Sequence, residues 1–362
     1  MKYFSMFSGI GGFELGIQNA YRSKNRGSQT NTQEDWHESE TSKEISTTQR
    51  PISSSSTDRT DERPLCVGYS EIDKYAIKVY ERHFKHDNYG NATTINAAEL
   101  PDFDLLVGGF PCQAFSIAGK RAGFDDTRGT LFFDIARILA EKRPRHLVLE
   151  NVKGLLSHDS GKTFQTILGV LSDLGYRVEW QVLNSKDFGV PQNRERVIIV
   201  GHLGGQPRRK VFPITGHSQQ IASVAGYISE EVWPRRHEQI RQVYKTDGAM
   251  PTIPTGQGGG VMTKVAVDMT RRAAESHRVR KDGIMGTVTA TYYKGIGNAE
   301  RPGVKEGLRI RRLTPLECER LQGFPDDWTA GESDTQRYKM CGNAVTTNVI
   351  QAVITNLIEC LN

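Results

Sequence analysis

The stretch that most constrains this chain is residues 104–113, where the apolar run Leu105-Leu106-Val107 closes on Gly108-Gly109-Phe110-Pro111-Cys112-Gln113. A short continuous apolar run bounded by glycine and proline reads as a strand buried on both faces, as in a parallel sheet. Pro111 has no N–H to give a sheet ladder, so the strand ends there. Cys112 is thereby delivered to the carboxyl edge of the sheet, where open α/β folds build their sites. A second run, His146-Leu147-Val148-Leu149, leads into Glu150-Asn151-Val152. Two strands thus bring a thiol and a carboxylate to one edge. Taken alone, Cys112 reads equally well as a small buried hydrophobe.

The amino-terminal end supports the same class. Residues 2–7 read as a first strand, followed by Gly9, Gly11 and Gly12 and a helix over 13–21. Strand, glycine turn and helix form the entry to a nucleotide-type cofactor site in doubly wound folds, although the spacing differs from the dinucleotide fingerprint and does not choose a cofactor. A second strand over 65–69 ends at Ser70-Glu71, and an acid in that place commonly accepts from ribose hydroxyls. Asp73 caps the next helix, whose apolar stripe is Ala76, Ile77, Tyr80 and Phe84. Helices are expected over 131–142 and around Phe164, Ile167 and Leu171, and strands over 178–183 and 197–200. Thr314-Pro315-Leu316-Glu317 is a capping box, and Val349, Val353, Leu357 and Leu361 stripe a final helix.

Two segments break the pattern. Residues 24–63 are Ser-, Thr- and Gln-rich and nearly without apolar side chains, so they read as a disordered insertion. Residues 205–312 hold 19 Lys and Arg against 9 Asp and Glu, a surplus of ten positive charges in a chain of net charge +5. A basic block joined to a net-acidic sheet unit suits a phosphate-backbone partner, or else is a solvated basic surface. Within it, Asp247-Gly248-Ala249-Met250-Pro251-Thr252-Ile253 and Asp282-Gly283-Ile284-Met285-Gly286-Thr287-Val288 form a near-repeat. The expected organisation is residues 1–204, a second unit over 205–312, and a return to the first over 313–362. Five scattered cysteines show no metal-ligand spacing, which points to a reducing, cytoplasmic compartment and no metal. No apolar run long enough to cross a membrane is expected.

With these residues assembled, the chain resembles the cytosine-C5 DNA methyltransferases. Gly109 to Gln113 is similar to their Gly-Phe-Pro-Cys-Gln motif, Glu150 to Val152 to Glu-Asn-Val, and Gln192-Asn193-Arg194-Glu195-Arg196 to Gln-x-Arg-x-Arg. Phe7-Ser8-Gly9-Ile10-Gly11-Gly12 resembles the cofactor motif and Gly342-Asn343-Ala344-Val345 the closing one, all in the family's order.

The resemblance implies an α/β fold of the S-adenosylmethionine-dependent, Rossmann-like type, with a mixed sheet carrying one antiparallel strand and a smaller, irregular target-recognition domain. It implies a methyl transfer to C5 of a flipped-out cytosine in duplex DNA, through an adduct between Cys112 and C6. A thiolate adding at C6 makes C5 nucleophilic, which a hydroxyl does poorly. The implied catalytic set is Cys112, Glu150 at N3, and Arg194 and Arg196 around the base. The implied S-adenosyl-L-methionine site is Phe7, Gly9, Gly11, Gly12, Glu71, Ile72, Asn91, Ala92, Pro111, Asn343, Ala344 and Val345. At Asn91 the family usually has Asp. Expected DNA contacts are Gln113, Ser116, Lys120 and Arg128 in a lid over 113–128, and Gln257 and Lys294 in reading loops over 252–260 and 287–297. The expected partner is double-stranded DNA, bound by a monomer, with a restriction endonuclease acting separately. Two alternatives share the motifs: a tRNA cytosine-C5 methyltransferase and a non-catalytic DNA-binding relative.

Overall fold

The computed structural model describes residues 1–30, 63–111, 131–204, 209–217, 224–227, 242–245, 249–252, 264–268 and 308–361. Strand β1 (Lys2–Met6) runs into helix α1 (Gly12–Thr30), followed by β2 (Leu65–Ser70) and α2 (Lys74–His83). Next come β3 (Leu105–Gly109), α3 (Leu131–Lys142), β4 (His146–Val152) and α4 (Lys162–Asp173). Then follow β5 (Tyr176–Asn184), the two-residue β6 (Gln192–Asn193) and β7 (Glu195–Leu203). The strands β1, β2, β3, β4, β5 and β7 form one sheet in the order β2-β1-β3-β4-β7-β5. β1 to β4 pair in parallel, and β7 alone is reversed, antiparallel to both β4 and β5.

The inner strands β1, β3 and β4 are buried on both faces, which is why they are almost uninterrupted apolar runs, whereas the outer strand β5 is only partly covered. Alternate residues Phe4, Met6, Leu106, Leu147, Leu149, Val197 and Ile199 face α3 and α4. Tyr3, Leu105, Val107, Val148, Ile198 and Val200 face α1 and the carboxyl-terminal helix.

After the sheet come the short strands β8 (Val224–Tyr227), β9 (Gln242–Tyr244), β10 (Met250–Pro251), β11 (Lys264–Asp268) and β12 (Leu308–Arg312). Four of them form a small sheet in the order β12-β11-β9-β8, whereas β10 pairs in parallel with β6. The chain then returns through α5 (Pro315–Leu321), α6 (Asp334–Asn343) and α7 (Thr347–Leu361). Asp73 caps α2 by accepting from Tyr75 and Ala76 N–H, and the Thr314/Glu317 capping box opens α5, both as the spacing implies.

Three features differ from expectation. Helix α1 continues to Thr30, through the first residues of the insertion expected over 24–63; residues 31–62 lie outside the described residues. Once a helix is nucleated, adding polar residues costs little, so it outruns its apolar stripe. Residues 211–214, assigned by sequence to the second unit, pack on the first. Val211, Phe212 and Ile214 are buried against β5, β7 and α7. Val211 and Phe212 N–H donate to the Glu179 carboxylate (3.1 and 3.0 Å), and Ile214 N–H donates to Gln181 Oε1 (2.8 Å). The span Asp334–Leu361 contains an 18-residue window apolar enough to pass for a membrane crossing. It breaks at Ala344–Thr346 into two helices, and α7 buries Val349, Ile350, Val353, Ile354 and Leu357 in the core.

Candidate active site

The carboxyl edge of β1 and β2 forms a crevice. Phe7 ends β1 at φ +56°, a left-handed conformation a bulky residue adopts only when its surroundings hold it there. Gly9, at φ +55°, faces open space, leaving room for a ligand against its backbone. Gly12 is needed for packing, because a Cβ there would stand 2.7 Å from Val345 Cγ2. The closing motif is thus seated directly on the glycine loop, and Gly11 lies under Phe84. Trp328 Nε1–H donates to Ile10 O (2.9 Å) and holds the loop from the other side.

Glu71 joins the two strand ends. Its Oε2 accepts from Gly9 N–H, and its Oε1 from Ile72 and Asp73 N–H, each at 2.8 Å. A carboxylate offers about four acceptor positions, so one remains on Oε2 for a ligand hydroxyl. Beside it Ile72 is 70% exposed, an apolar plate at the crevice mouth. Lys339 on α6 reaches across to Asp73 Oδ2 (2.6 Å). Asn91 is exposed and caps a 3₁₀ turn (Ala92–Thr94) by accepting from Thr93 N–H (3.1 Å); Ala92 is buried beneath it. Asn343 is exposed, while Ala344 and Val345 are buried.

The second half of the site is built by β3, β4 and β7. Gly109 pairs with Glu150 across β3 and β4, and Val152 pairs with Arg196 across β4 and β7. Glu150 Oε1 is 2.9 Å from Arg196 Nε, and both side chains are largely buried. A pair so placed leaves the carboxyl group fixed in orientation, with its Oε2 beside Gly109. Asn151 Nδ2–H donates to Phe110 O (2.8 Å) and so pins the strand end that carries Pro111. Outside the pair, Lys153 Nζ meets the Glu195 carboxylate at 2.9 Å. Cys112, Gln113, Ser116, Lys120, Arg128, Gln257 and Lys294 lie outside the described residues.

Arg194, expected from the resemblance to lie around the base, is bonded within the protein to the closing motif. Its guanidinium is 3% exposed and donates to Gly342 O (3.2 Å) and Ala344 O (2.9 Å). Burial lowers its pKa to about 9, with Arg196 adding repulsion and Glu150 opposing it. Those bonds tie the start of β7 to the closing motif.

A family model described as C-5 cytosine-specific DNA methylase matches residues 60–359. The chain belongs to that family. Type II methyltransferase M1.ScrFI of Lactococcus lactis subsp. cremoris is 40% identical over 305 residues, spanning 83% of this chain and 74% of the relative. Type II methyltransferase M.HhaI of Haemophilus parahaemolyticus is 34% identical, spanning 82% and 88%. Orphan methyltransferase M.SPRI of Bacillus phage SPR is 32% identical, spanning 81% and 92%. The crystal structure of S. pombe Dnmt2 methyltransferase shares the fold, with TM-score 0.61 at 16% identity over 100% of this chain and 99% of that one.

Some buried polar groups near the site were not legible in the sequence. Glu14 stands in the first turn of α1, where an acid ordinarily complements the helix dipole at the surface. It is fully buried; Tyr80 O–H donates to its Oε1 (3.0 Å), Tyr80 also meets His86 Nδ1 (2.9 Å), and Oε2 has no partner among the described residues. Burial raises its pKa to about 7. Its flanking Phe13, Leu15 and Ile17 were the available signal. At the other end, Thr252 Oγ1–H donates to Asn193 O (2.9 Å), joining residue 252 to the strand that leads to Arg196.

Proposed function

We propose that the protein transfers a methyl group to C5 of a cytosine flipped out of duplex DNA, with Cys112 as nucleophile. The observation that supports it most is the register of the sheet. Gly109, three residues before Cys112, lies beside Glu150, whose carboxyl group Arg196 holds at 2.9 Å.

The crevice fits S-adenosylmethionine. Ile72 offers a plate for adenine, Glu71 an acceptor for ribose, Asn91 an amide oxygen for the adenine amino group, and Gly9 the space for close approach. When bound, it supplies an electrophilic methyl group. The chain's own residues do the rest. The Cys112 thiolate adds to C6, and the displaced electron pair develops as negative charge at N3 and as nucleophilic character at C5. Glu150 faces N3 and hydrogen-bonds or protonates it, and Arg196 keeps its carboxyl group in place. Loss of the C5 proton to water then lets the thiolate leave and restores the ring. Because C5 is stacked inside the duplex, the base must leave the stack first. Arg194 acts through the closing motif, as a positioning residue. The basic segment over 205–312 contributes backbone affinity, and the loops after Thr252 and over 287–297 read the sequence.

Incubation with DNA containing 5-fluorocytosine tests the reading, because fluorine at C5 cannot be removed as a proton and the adduct persists. The parent should form a denaturant-stable complex that Cys112→Ser does not, and bisulfite sequencing should show methylation by the parent alone. Turnover by Cys112→Ser within about tenfold of the parent refutes the thiol mechanism.

A further inference from the structure

We propose that Arg137 is a positioning residue for the adenine end of the donor site, an inference that rests on the donor-site reading above. Arg137 lies on α3, whose Phe132, Ile135, Ile138 and Leu139 are almost fully buried against the sheet. That makes α3 a rigid platform. From it one guanidinium donates to two carbonyls of the segment that presents Asn91: Nη2–H to Ala92 O (2.9 Å) and Nη1–H to Ile95 O (2.6 Å). Asp134, one turn earlier on the same helix, steadies the guanidinium at 3.3 Å.

The segment so held has no strand ladder of its own. It consists of two 3₁₀ turns, Ala92–Thr94 and Ala97–Glu99, which are poor at fixing their own position. Asn91 opens the first turn, and its Oδ1 is oriented by the bond from Thr93 N–H, with acceptor capacity left for a ligand on an exposed side chain. Displacement of Ala92 therefore displaces the amide oxygen that would accept from the adenine amino group. A planar fork reaching two carbonyls does this in a way a point charge cannot. Arg137 touches neither donor nor base, and its effect should fall on which purine is recognised.

The test uses the full-length protein and calorimetric titration with S-adenosylhomocysteine and with S-inosylhomocysteine, in which oxygen replaces the adenine amino group. In the parent the adenine form should bind tighter. Arg137→Met should weaken S-adenosylhomocysteine about 10-fold and narrow its advantage over the inosine form, consistent with hydrogen bonds from a charged donor. Its kcat at saturating donor and KM for DNA should stay within about twofold of the parent, since the pair of Glu150 and Arg196 is untouched. Arg137→Lys should recover part of the preference, and it carries the test if the Met variant does not fold. Equal weakening of both ligands shows a merely structural role and overturns the proposal, as does unchanged affinity for both. Failure of the parent itself to bind S-adenosylhomocysteine instead overturns the donor-site reading on which the proposal stands.

Discussion

Glu14→Gln should make the protein more stable, by an amount that grows with pH. Glu14 is fully buried behind the glycine loop, and burial raises its carboxyl pKa from 4.5 to about 7. Between those values the folded state keeps a proton that the unfolded state has released, so the parent loses stability as pH rises through that window. At 1.36 kcal/mol per unit, the loss reaches about 3 kcal/mol once the pH exceeds the folded value. Gln has the same shape, can still accept from Tyr80 O–H, and carries no charge to desolvate. The difference between variant and parent should therefore be near zero at pH 4.5 and approach about 3 kcal/mol at pH 8. For a chain of this length that corresponds to about 4 °C in Tm. Thermal melts of both proteins from pH 4.5 to 8 check it, because every other titrating group is shared and cancels in the difference. Parallel melting curves, or a variant below the parent at pH 8, would refute the reasoning.

Gly12→Ala should raise the donor KM and cost about 1–3 kcal/mol of stability, because the new Cβ would stand 2.7 Å from Val345 Cγ2 and 3.2 Å from Val345 O. Steady-state kinetics with a parallel melt checks this. Arg194→Lys should raise the donor KM several-fold, since one ammonium cannot replace the fork on Gly342 O and Ala344 O, at a cost of about 2 kcal/mol in stability. A collapse of kcat with the donor KM unchanged would return Arg194 to direct contact with the base.

What the sequence made legible was whatever rests on local pattern. Continuous apolar runs marked β1, β3 and β4; the side-chain caps at Asp73 and Thr314 and the stripe of α7 through Val349, Val353 and Leu357 stand where spacing put them, whereas Leu361 of that stripe is exposed. What it concealed depends on partners distant in the chain. Nothing near Arg194 tells that its guanidinium meets carbonyls about 150 residues onward. Glu14 looks like a surface acid until Tyr80, 66 residues away, is brought against it. The run Val211-Phe212-Pro213-Ile214 is too short to be told from a loop, and it belongs to the sheet only because Glu179 and Gln181 offer acceptors on the outer strand.

The reversal of β7 bears on where this chain tolerates insertions and deletions over evolutionary time. Arg196 enters at the start of β7, so the chain leaves that nine-residue strand at the far side of the sheet, about 27 Å from the catalytic edge. It must travel back before Met250 and Pro251 can join Gln192 and Asn193. The return is fastened beside β5, first at Glu179 through Val211 and Phe212, then at Gln181 through Ile214. Six residues, 205–210, separate Gly204 from the first fastening, and the seven steps from Gly204 to Val211 span at most about 25 Å. Length changes can accumulate there or beyond residue 217, whereas one within 211–214 shifts every later fastening by a position. Relatives that differ in the length of this region are therefore expected to keep a short apolar run at the same distance after the strand that corresponds to β7.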